Sequence, residues 1–430
     1  MVDWSKLPDL AAVAALTCAF ASVGRKNYTH VSRLWLTAWL MIALHFAASM
    51  LMGLPGIWGI MATVVVLASL TWAGVLFMWA SVPYRSRRSS QVMLAALLGV
   101  NTLYIALNVI GPAASWSLTP AALLFAVSPA AVYFVSIQRF RHPLRLALVA
   151  LYCLLAAFLL AFQNRPGYGS DLALNAVLFT VFFGSCIYFW YTYRRATAGA
   201  IITIAGFFAW ALVFVVSPAI SMLHLQFKVE SEVWNLPKYV VAVGMILVLL
   251  EDQIEHNRFL ALHDELTGLP NRRLFQDRLT NTLERARRTK SLTGLLLVDL
   301  NQFKQVNDTL GHHIGDLLLQ HVASVFEVRV RRSDTIARTG GDEFSIILEE
   351  PASRAEAETV SLSLLQMLRE PVQLEGHSVQ VGASIGVAVF PDDAHDMESL
   401  CIAADLRMYD EKYGKTRMST DTVFLDVKPL

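Results

Sequence analysis

Two glycines followed by two acidic residues, Gly340-Gly341-Asp342-Glu343-Phe344, form the segment of this chain best suited to chemistry. They lie between two apolar stretches that predict strands, Thr335 to Ala337 and Phe344 to Leu348. Glycines tolerate positive φ and let a ligand's phosphates come close to the backbone. Carboxylates beside such a turn can hold Mg²⁺ against those phosphates. The segment therefore predicts a hairpin tip that binds a phosphorylated ligand.

A third acidic residue, Asp299, follows an apolar strand predicted over Gly294 to Val298. The end of a strand is a common position for a metal ligand, although a single carboxylate there more often caps a helix. Asp299 opens the run Asp299-Leu300-Asn301-Gln302-Phe303-Lys304-Gln305-Val306-Asn307-Asp308, and Gly311-His312-His313-Ile314-Gly315-Asp316 comes soon after it.

These segments resemble the motifs of the GGDEF family of diguanylate cyclases, which join two GTP molecules into cyclic di-GMP. The run from Asp299 resembles the family's D-x-D-x-F-K-x-x-N-D and GH-x-x-GD stretches. The segment Asp264-Glu265-Leu266-Thr267-Gly268-Leu269-Pro270-Asn271-Arg272 resembles its D-x-LT-GLPNRR start. Asn301 replaces a commoner aspartate that is not a principal metal ligand in the family, so we expect activity to survive.

The resemblance implies roles for individual residues. Two Mg²⁺ (or Mn²⁺) ions per active site are expected to bind Asp299, Asp342 and the carbonyl of Leu300. Glu343 is expected either to assist at the metal or to act as the general base, and the sequence leaves both open. The residues expected to contact the substrate are Asn307 and Asp316 at the guanine edge, together with Phe303, Gly340 and Gly341.

Two lysines and an arginine extend this set. Lys412 resembles the lysine that meets the terminal phosphates, although a solvated helix end would look similar. The sequence after it is one residue shorter than the family's pattern, and Lys415 is a second candidate phosphate contact. Arg331 and Asp334 form an R-x-x-D motif, which occurs often by chance. With five residues between the motif and Gly340, it resembles the family's inhibitory product site.

The implied reaction is attack of the 3′-hydroxyl of one GTP on the α-phosphate of another, with loss of pyrophosphate. Since one site holds one GTP, a homodimer is expected. The alternative is a non-catalytic receptor for GTP or cyclic di-GMP. All the signature letters are present, which favours the enzyme. The acidic C-terminal half argues against nucleic-acid binding.

The elements that must position these residues alternate irregularly between helices and strands after residue 270. Helices are predicted from Asn271 to about 290, near 303–310, from Ile314 to about 330, near 354–368 and from Met397 to about 412, with a hairpin within 372–390. The resemblance implies an α/β, palm-like cyclase fold for this half, which follows an all-α membrane domain.

Composition divides the chain in two. Of its 430 residues 55% are hydrophobic, too many for an ordinary soluble protein. Before Glu251 there are 15 basic and 5 acidic residues, and the remaining 20 and 29 follow, so the halves carry +10 and −9. We predict a membrane domain over 1–250, a helical linker over 251–263, the catalytic domain over 264–422 and a tail over 423–430.

Apolar stretches of about 20 residues predict membrane helices. Nine candidates are 7–23, 34–53, 57–82, 92–112, 119–138, 143–163, 172–193, 198–222 and 234–250, with eight as the competing count. Basic residues cluster in alternate loops, so the positive-inside rule places the N-terminus outside and the C-terminal domain in the cytoplasm. The membrane is expected to be the inner (cytoplasmic) membrane. Almost no charge is expected at membrane depth. His45 could be a haem or metal ligand, but an interhelical hydrogen bond is the favoured interpretation.

The linker is the last feature predicted from the sequence alone. Leu247, Leu250, Ile254 and Ala261 fit a short heptad with Asn257 at a core position, although a solvated helix would give a similar pattern. The heptad reading predicts a parallel two-helix joint. We expect the N-terminal half to be a sensory or anchoring unit in membrane lipid, with an unknown ligand.

Overall fold

The computed structural model describes residues 2–24, 30–80, 88–110, 169–193, 196–223, 231–351, 353–416 and 425–426. The chain divides into two compact units, Met1–Ile254 and Glu255–Leu430. Two of the predicted membrane spans, 119–138 and 143–163, lie outside the described residues.

The first unit is helical throughout its described part. After a short 3₁₀ turn over Trp4–Lys6, its helices are α1 (Leu7–Gly24), α2 (His30–Ser49), α3 (Ile57–Ala80), α4 (Arg88–Ile110), α5 (Gly169–Thr192), α6 (Ala198–Met222) and α7 (Ser231–Leu262). In this part of the chain, six helices are long and apolar enough to cross a membrane, and α4 has only a shorter apolar stretch, Leu94–Ile110. Seven of the nine predicted spans therefore coincide with helices.

Large aromatic side chains fill the interior of this unit. Trp35, Trp39 and Trp210 are fully buried beside Phe77 and Phe182. Large apolar side chains also face outward on several helices. Apolar residues on both the inside and the outside are typical of helices surrounded by lipid.

Two charged side chains are buried in the described part of the first unit, Asp9 of α1 and Lys238 of α7. Asn235 bridges them: its Nδ2 donates to Asp9 at 2.8 Å, and its Oδ1 accepts from Lys238 Nζ at 2.6 Å. Tyr239 also donates to Asp9 at 2.6 Å. A buried acid and base can be retained when they compensate each other through such hydrogen bonds. As expected, His45 makes an interhelical hydrogen bond, with Nδ1 at 2.9 Å from the Val66 carbonyl.

Helix α7 continues without interruption past the predicted span to Leu262. Of the predicted heptad, Ile254 is 66% exposed, and Asn257 and Ala261 are exposed as well. The described chain therefore leaves this face of the helix open, which a two-helix joint requires.

The second unit is an α/β domain built on a four-stranded antiparallel sheet in the order β2-β3-β1-β6. Its strands are β1 (Thr293–Asn301), β2 (Thr335–Arg338), β3 (Glu343–Glu349) and β6 (Gly382–Phe390). A smaller sheet contains β4 (Val372–Leu374), β5 (His377–Val379) and β7 (Leu425–Asp426). The predicted hairpin within 372–390 is thus β4–β5 alone. The rest of that segment, β6, pairs with β1 instead.

Helices cover both faces of the main sheet. They are α8 (Arg272–Thr289), α9 (Phe303–Leu310), α10 (His312–Arg329), α11 (Arg354–Leu368) and α12 (Met397–Thr416). One apolar core contains residues of α10 and α11, and a second contains residues of α8 and α12. Because β1 is buried on both faces, its sequence is a nearly continuous apolar run that ends at Asp299.

Candidate active site

Asp299 and Asp342, 43 positions apart in the sequence, meet at one end of the sheet. Antiparallel pairing of β1 with β3 sets Asp299 opposite Glu343, and the Leu300 N–H donates to the Asp342 carbonyl at 3.1 Å. Asp299 is buried, Asp342 is half-buried and Glu343 is exposed. We call these three residues the acidic end of the sheet.

The two glycines of the turn differ in their surroundings. Neither Gly340 nor Gly341 is among the glycines with positive φ, contrary to the conformational role predicted for them. A Cβ at Gly340 would lie 2.5 Å from Glu343 Oε2, whereas Gly341 has open space around it. Gly340 therefore leaves room for the Glu343 side chain as it folds over the turn, and Gly341 leaves the turn accessible.

Arg338, which sequence reasoning missed, holds the turn in place. Its Nη2 donates to the Gly341 carbonyl at 2.7 Å, and its Nη1 donates to Asp264 Oδ1 at 2.9 Å. Burial raises the pKa of Asp264, but hydrogen bonds from Thr267 and Arg338 outweigh it and bring that pKa below its usual value. One feature of the sequence could have indicated this role: an arginine stands two residues before a glycine pair, and the backbone carbonyls of such a turn need hydrogen-bond donors.

Lys412, in the last turns of α12, donates from Nζ to Asp299 Oδ1 at 2.7 Å. Burial lowers the pKa of Lys412, but the hydrogen bond to Asp299 and the charges of Asp299 and Asp342 raise it above its ordinary value. The lysine therefore stays charged and balances the acidic end. Lys415, the other candidate phosphate contact, has a side chain outside the described part.

The residues predicted to read guanine lie where α9 meets α10. A Cβ at Gly315 would lie 1.8 Å from Asn307 Oδ1 and 3.3 Å from Phe303, so only glycine leaves room for the amide. Asn307 Oδ1 is buried without a hydrogen-bond partner in the described structure. A buried amide oxygen without a donor is costly, so this atom is suited to accept from a ligand N–H. Asp316 follows Gly315 directly and is exposed.

Arg331 and Asp334 line a separate pocket of about 140 Å³, together with Arg329, Glu349, Glu356 and Thr359 among others. We call it the Arg331 pocket. Asp334 accepts hydrogen bonds from the backbone N–H groups of Arg331 and Glu349, both at 3.0 Å. Burial is the main cause that raises the pKa of Asp334. The Arg331 guanidinium donates to Glu356 at 2.6 Å.

The donor set at the acidic end suits a hard divalent cation. Asp299 and Asp342 supply carboxylates and Leu300 a backbone carbonyl, which are oxygen ligands of the kind Mg²⁺ prefers. In the described parts of the chain, no three or more His, Cys, Asp or Glu side chains cluster as a metal site. Two carboxylates and a carbonyl agree with an ion that shares its coordination with substrate phosphates.

Comparison with known proteins locates the similarity in the second unit. A family model described as "Diguanylate cyclase, GGDEF domain" matches residues 261–418. The bifunctional diguanylate cyclase/cyclic di-GMP phosphodiesterase MucR of Pseudomonas aeruginosa is 42% identical over 188 residues, 40% of this chain and 27% of MucR. The diguanylate cyclase TpbB of the same species is 36% identical over 161 residues, 37% of each chain.

A solved structure of TpbB from Pseudomonas aeruginosa that comprises only its GGDEF domain is 37% identical. It has a TM-score of 0.35 and covers 35% of this chain and 89% of that structure. The chain therefore spans between about a quarter and two fifths of the curated relatives named here.

Proposed function

Residues 261–418 are a GGDEF domain of the diguanylate cyclase family, and from that premise we propose that the chain is a membrane-bound diguanylate cyclase. It condenses two GTP molecules into cyclic di-GMP and two pyrophosphates. The observation that carries the proposal is the meeting of Asp299 and Asp342 at the acidic end, beside a lysine and an accessible glycine turn.

The chain's own residues bind and orient the nucleotide. Asn307 Oδ1 accepts from a guanine N–H, and Asp316 accepts from the neighbouring N–H groups of the same edge. Gly341 leaves room for the phosphates beside the turn. Lys412 supplies positive charge for the terminal phosphates from the side of α12.

Asp299, Asp342 and the Leu300 carbonyl would hold two Mg²⁺ or Mn²⁺ ions. Bound there, such ions stabilise negative charge on the attacking and leaving oxygens. In the reaction, the 3′-oxygen of one GTP forms a bond to the α-phosphorus of the other, the bond to the pyrophosphate breaks, and the hydroxyl proton is lost. Glu343 is placed on the turn either to take up that proton or to assist at the ions.

Two domains must face each other, because each site holds one GTP and each GTP attacks the other. We therefore propose a homodimer. The open face of α7, with Ile254 exposed, supports a second copy of the helix packing there. A full chain that stays monomeric at every concentration and still turns over GTP would contradict this proposal.

The first unit is proposed to anchor the enzyme in the inner membrane by nine spans, with the N-terminus outside and the GGDEF domain in the cytoplasm. The six apolar helices of the described part support the anchoring. Membrane lipid surrounds the first unit. This unit regulates the cyclase in response to a sensory ligand of unknown identity.

The Arg331 pocket is proposed as the site of product inhibition. Arg331 offers a planar fork of donors to the phosphates and guanine of cyclic di-GMP, and Asp334 accepts from a guanine edge. The pocket already brings the two residues together. The second candidate function, a GTP or cyclic di-GMP receptor without turnover, would keep this pocket but make no product.

The deciding experiment incubates the purified full-length protein with GTP and Mg²⁺ and identifies the products by mass spectrometry. Cyclic di-GMP and pyrophosphate are expected from the wild type, and neither from Asp342→Ala. Nucleotide binding is measured in the same samples. A wild type that binds GTP but yields no cyclic di-GMP would support the receptor instead.

A further inference from the structure

The last turns of α12 are fixed to the edge of the sheet by a side chain that the mechanism above does not use. Glu411 Oε2 accepts a hydrogen bond from the Ile385 N–H at 2.7 Å. Ile385 lies on β6, the edge strand next to β1. The Ile385 N–H therefore points away from β1, and a helix carboxylate satisfies it in place of another strand.

Helix α12 lies unusually close to this strand. A Cβ at Gly386 would be 1.9 Å from the Ala404 carbonyl oxygen and 2.5 Å from the Met408 backbone nitrogen. Backbone atoms cannot move aside as a flexible side chain can. The helix therefore lies directly against β6 at Gly386, and Glu411 holds it again about one turn further on.

Glu411 directly precedes Lys412, which reaches Asp299 across the same part of the sheet. Asp299 pairs with Ser384, the residue before Ile385, so the two contacts of α12 fall on adjacent positions of neighbouring strands. A lysine side chain has four rotatable bonds, so its ammonium can be placed only if the backbone that carries it is held. The Glu411–Ile385 hydrogen bond provides that support.

We propose that Glu411 is a positioning residue for Lys412, and hence for the terminal phosphates of GTP. The inference rests on the proposed function of Lys412. Loss of the Glu411 carboxylate would leave the Ile385 N–H without this acceptor and release the end of α12. The affinity for GTP would fall, while the chemical step at Asp299 and Asp342 would change less, because Glu411 acts on the nucleotide only through Lys412.

The test compares full-length variants by steady-state kinetics and by direct GTP binding. Glu411→Ala should raise KM and Kd for GTP about tenfold, the range of one lost hydrogen bond to a charged group, with kcat within about threefold of the wild type. Glu411→Gln keeps an oxygen acceptor at the same place and should recover most of the affinity. Asp410→Ala removes an exposed carboxylate from the same turn and should behave as the wild type.

A double-variant cycle with Lys412→Ala separates positioning from general stability. If Glu411 acts through Lys412, Glu411→Ala should add little to the loss already caused by Lys412→Ala. Additive losses in the cycle would overturn the inference. So would a Glu411→Ala protein with a lower unfolding temperature but an unchanged Kd for GTP.

The binding measurement also separates this inference from the proposed function. A wild type that makes no cyclic di-GMP contradicts the cyclase, yet the order of Kd values among the variants still tests Glu411. An active wild type whose Kd is unchanged in Glu411→Ala contradicts Glu411 alone.

Discussion

The acidic end of the sheet and the Arg331 pocket both pair an acid with a base, but in different surroundings. At the acidic end Lys412 contacts Asp299, which is buried. In the Arg331 pocket the arginine side chain is 65% exposed and contacts Glu356. Leaving the buried Asp299 carboxylate without a partner is costly, although the Lys412 side chain is itself 39% exposed, whereas a pair as open to solvent as Arg331–Glu356 contributes about 0–1 kcal/mol. Changes at the acidic end should therefore impair the enzyme, while changes in the pocket should alter only its response to a ligand.

The strongest test of this contrast is Asp299→Ala. It removes a proposed ion ligand and the acceptor of Lys412 together, so the rate should fall by at least about 1,000-fold. Rates of cyclic di-GMP formation by the full chain measure the effect. Asp277→Ala, which removes an exposed aspartate from α8, is the matched control and should stay within about twofold. A residual rate within tenfold of the wild type for Asp299→Ala would remove the acidic end from the mechanism.

The next variant compares two arginines of the same domain. Arg338 has a side chain only 13% exposed and holds both Asp264 and the Gly341 carbonyl. Arg338→Ala should reduce the rate about 10- to 100-fold and lower the free energy of unfolding by about 1–3 kcal/mol, since both partners lose their donor.

Chemical denaturation and kinetics together measure the effect of Arg338→Ala. Arg338→Lys should restore part of the stability but less of the rate. A single ammonium cannot reproduce the planar guanidinium, which donates to Asp264 and to the Gly341 carbonyl at once. Arg332→Ala, at an exposed position, serves as the control. Equal losses from Arg338→Ala and Arg332→Ala would show that burial does not distinguish the two sites.

Within the Arg331 pocket, Arg331→Ala should weaken inhibition by cyclic di-GMP. Loss of the charged hydrogen bonds to phosphate and guanine should raise the inhibition constant about 10- to 100-fold. Titration of the initial rate with added cyclic di-GMP gives that constant. If it is the same in variant and wild type, the pocket is not the product site.

The weakest expected effect is that of Glu356→Ala. Glu356 holds the Arg331 guanidinium at 2.6 Å and so competes with a phosphate for it. Because the Arg331 side chain is largely exposed, removing its half-buried partner should tighten inhibition only about two- to threefold, and less at high salt. The same titration at two salt concentrations measures it. Weaker inhibition in Glu356→Ala would mean that Glu356 orients Arg331 for the ligand.

Much of the domain could be predicted from local patterns. The apolar run before Asp299, the helix from Asn271 and the glycine hairpin all lie where the sequence indicated, because each depends on residues close together in the chain. The close contact at Gly340 could not be predicted. It depends on where the Glu343 side chain folds, and the φ of the glycine has no part in it.

In the first unit, too, local elements could be predicted and contacts between distant residues could not. Hydropathy located seven helices that the structure contains, since twenty apolar residues in a row are sufficient to indicate a span. Hydropathy gave no indication that two charged side chains of this unit are buried and bridged. Asp9 and Lys238 are far apart in the sequence, and only the packing of α1 against α7 lets Asn235 join them.

Sequence alone was enough to propose the chemistry, from the signature acids and glycines, the guanine-reading candidates and the change from an apolar half to a charged one. Only the fold decided which of these groups touch. Strand register brought Asp299 to Asp342, and close packing of α12 on Gly386 brought Lys412 to Asp299. Secondary structure follows from neighbours along the chain, whereas a site depends on contacts between residues that only tertiary packing can bring together.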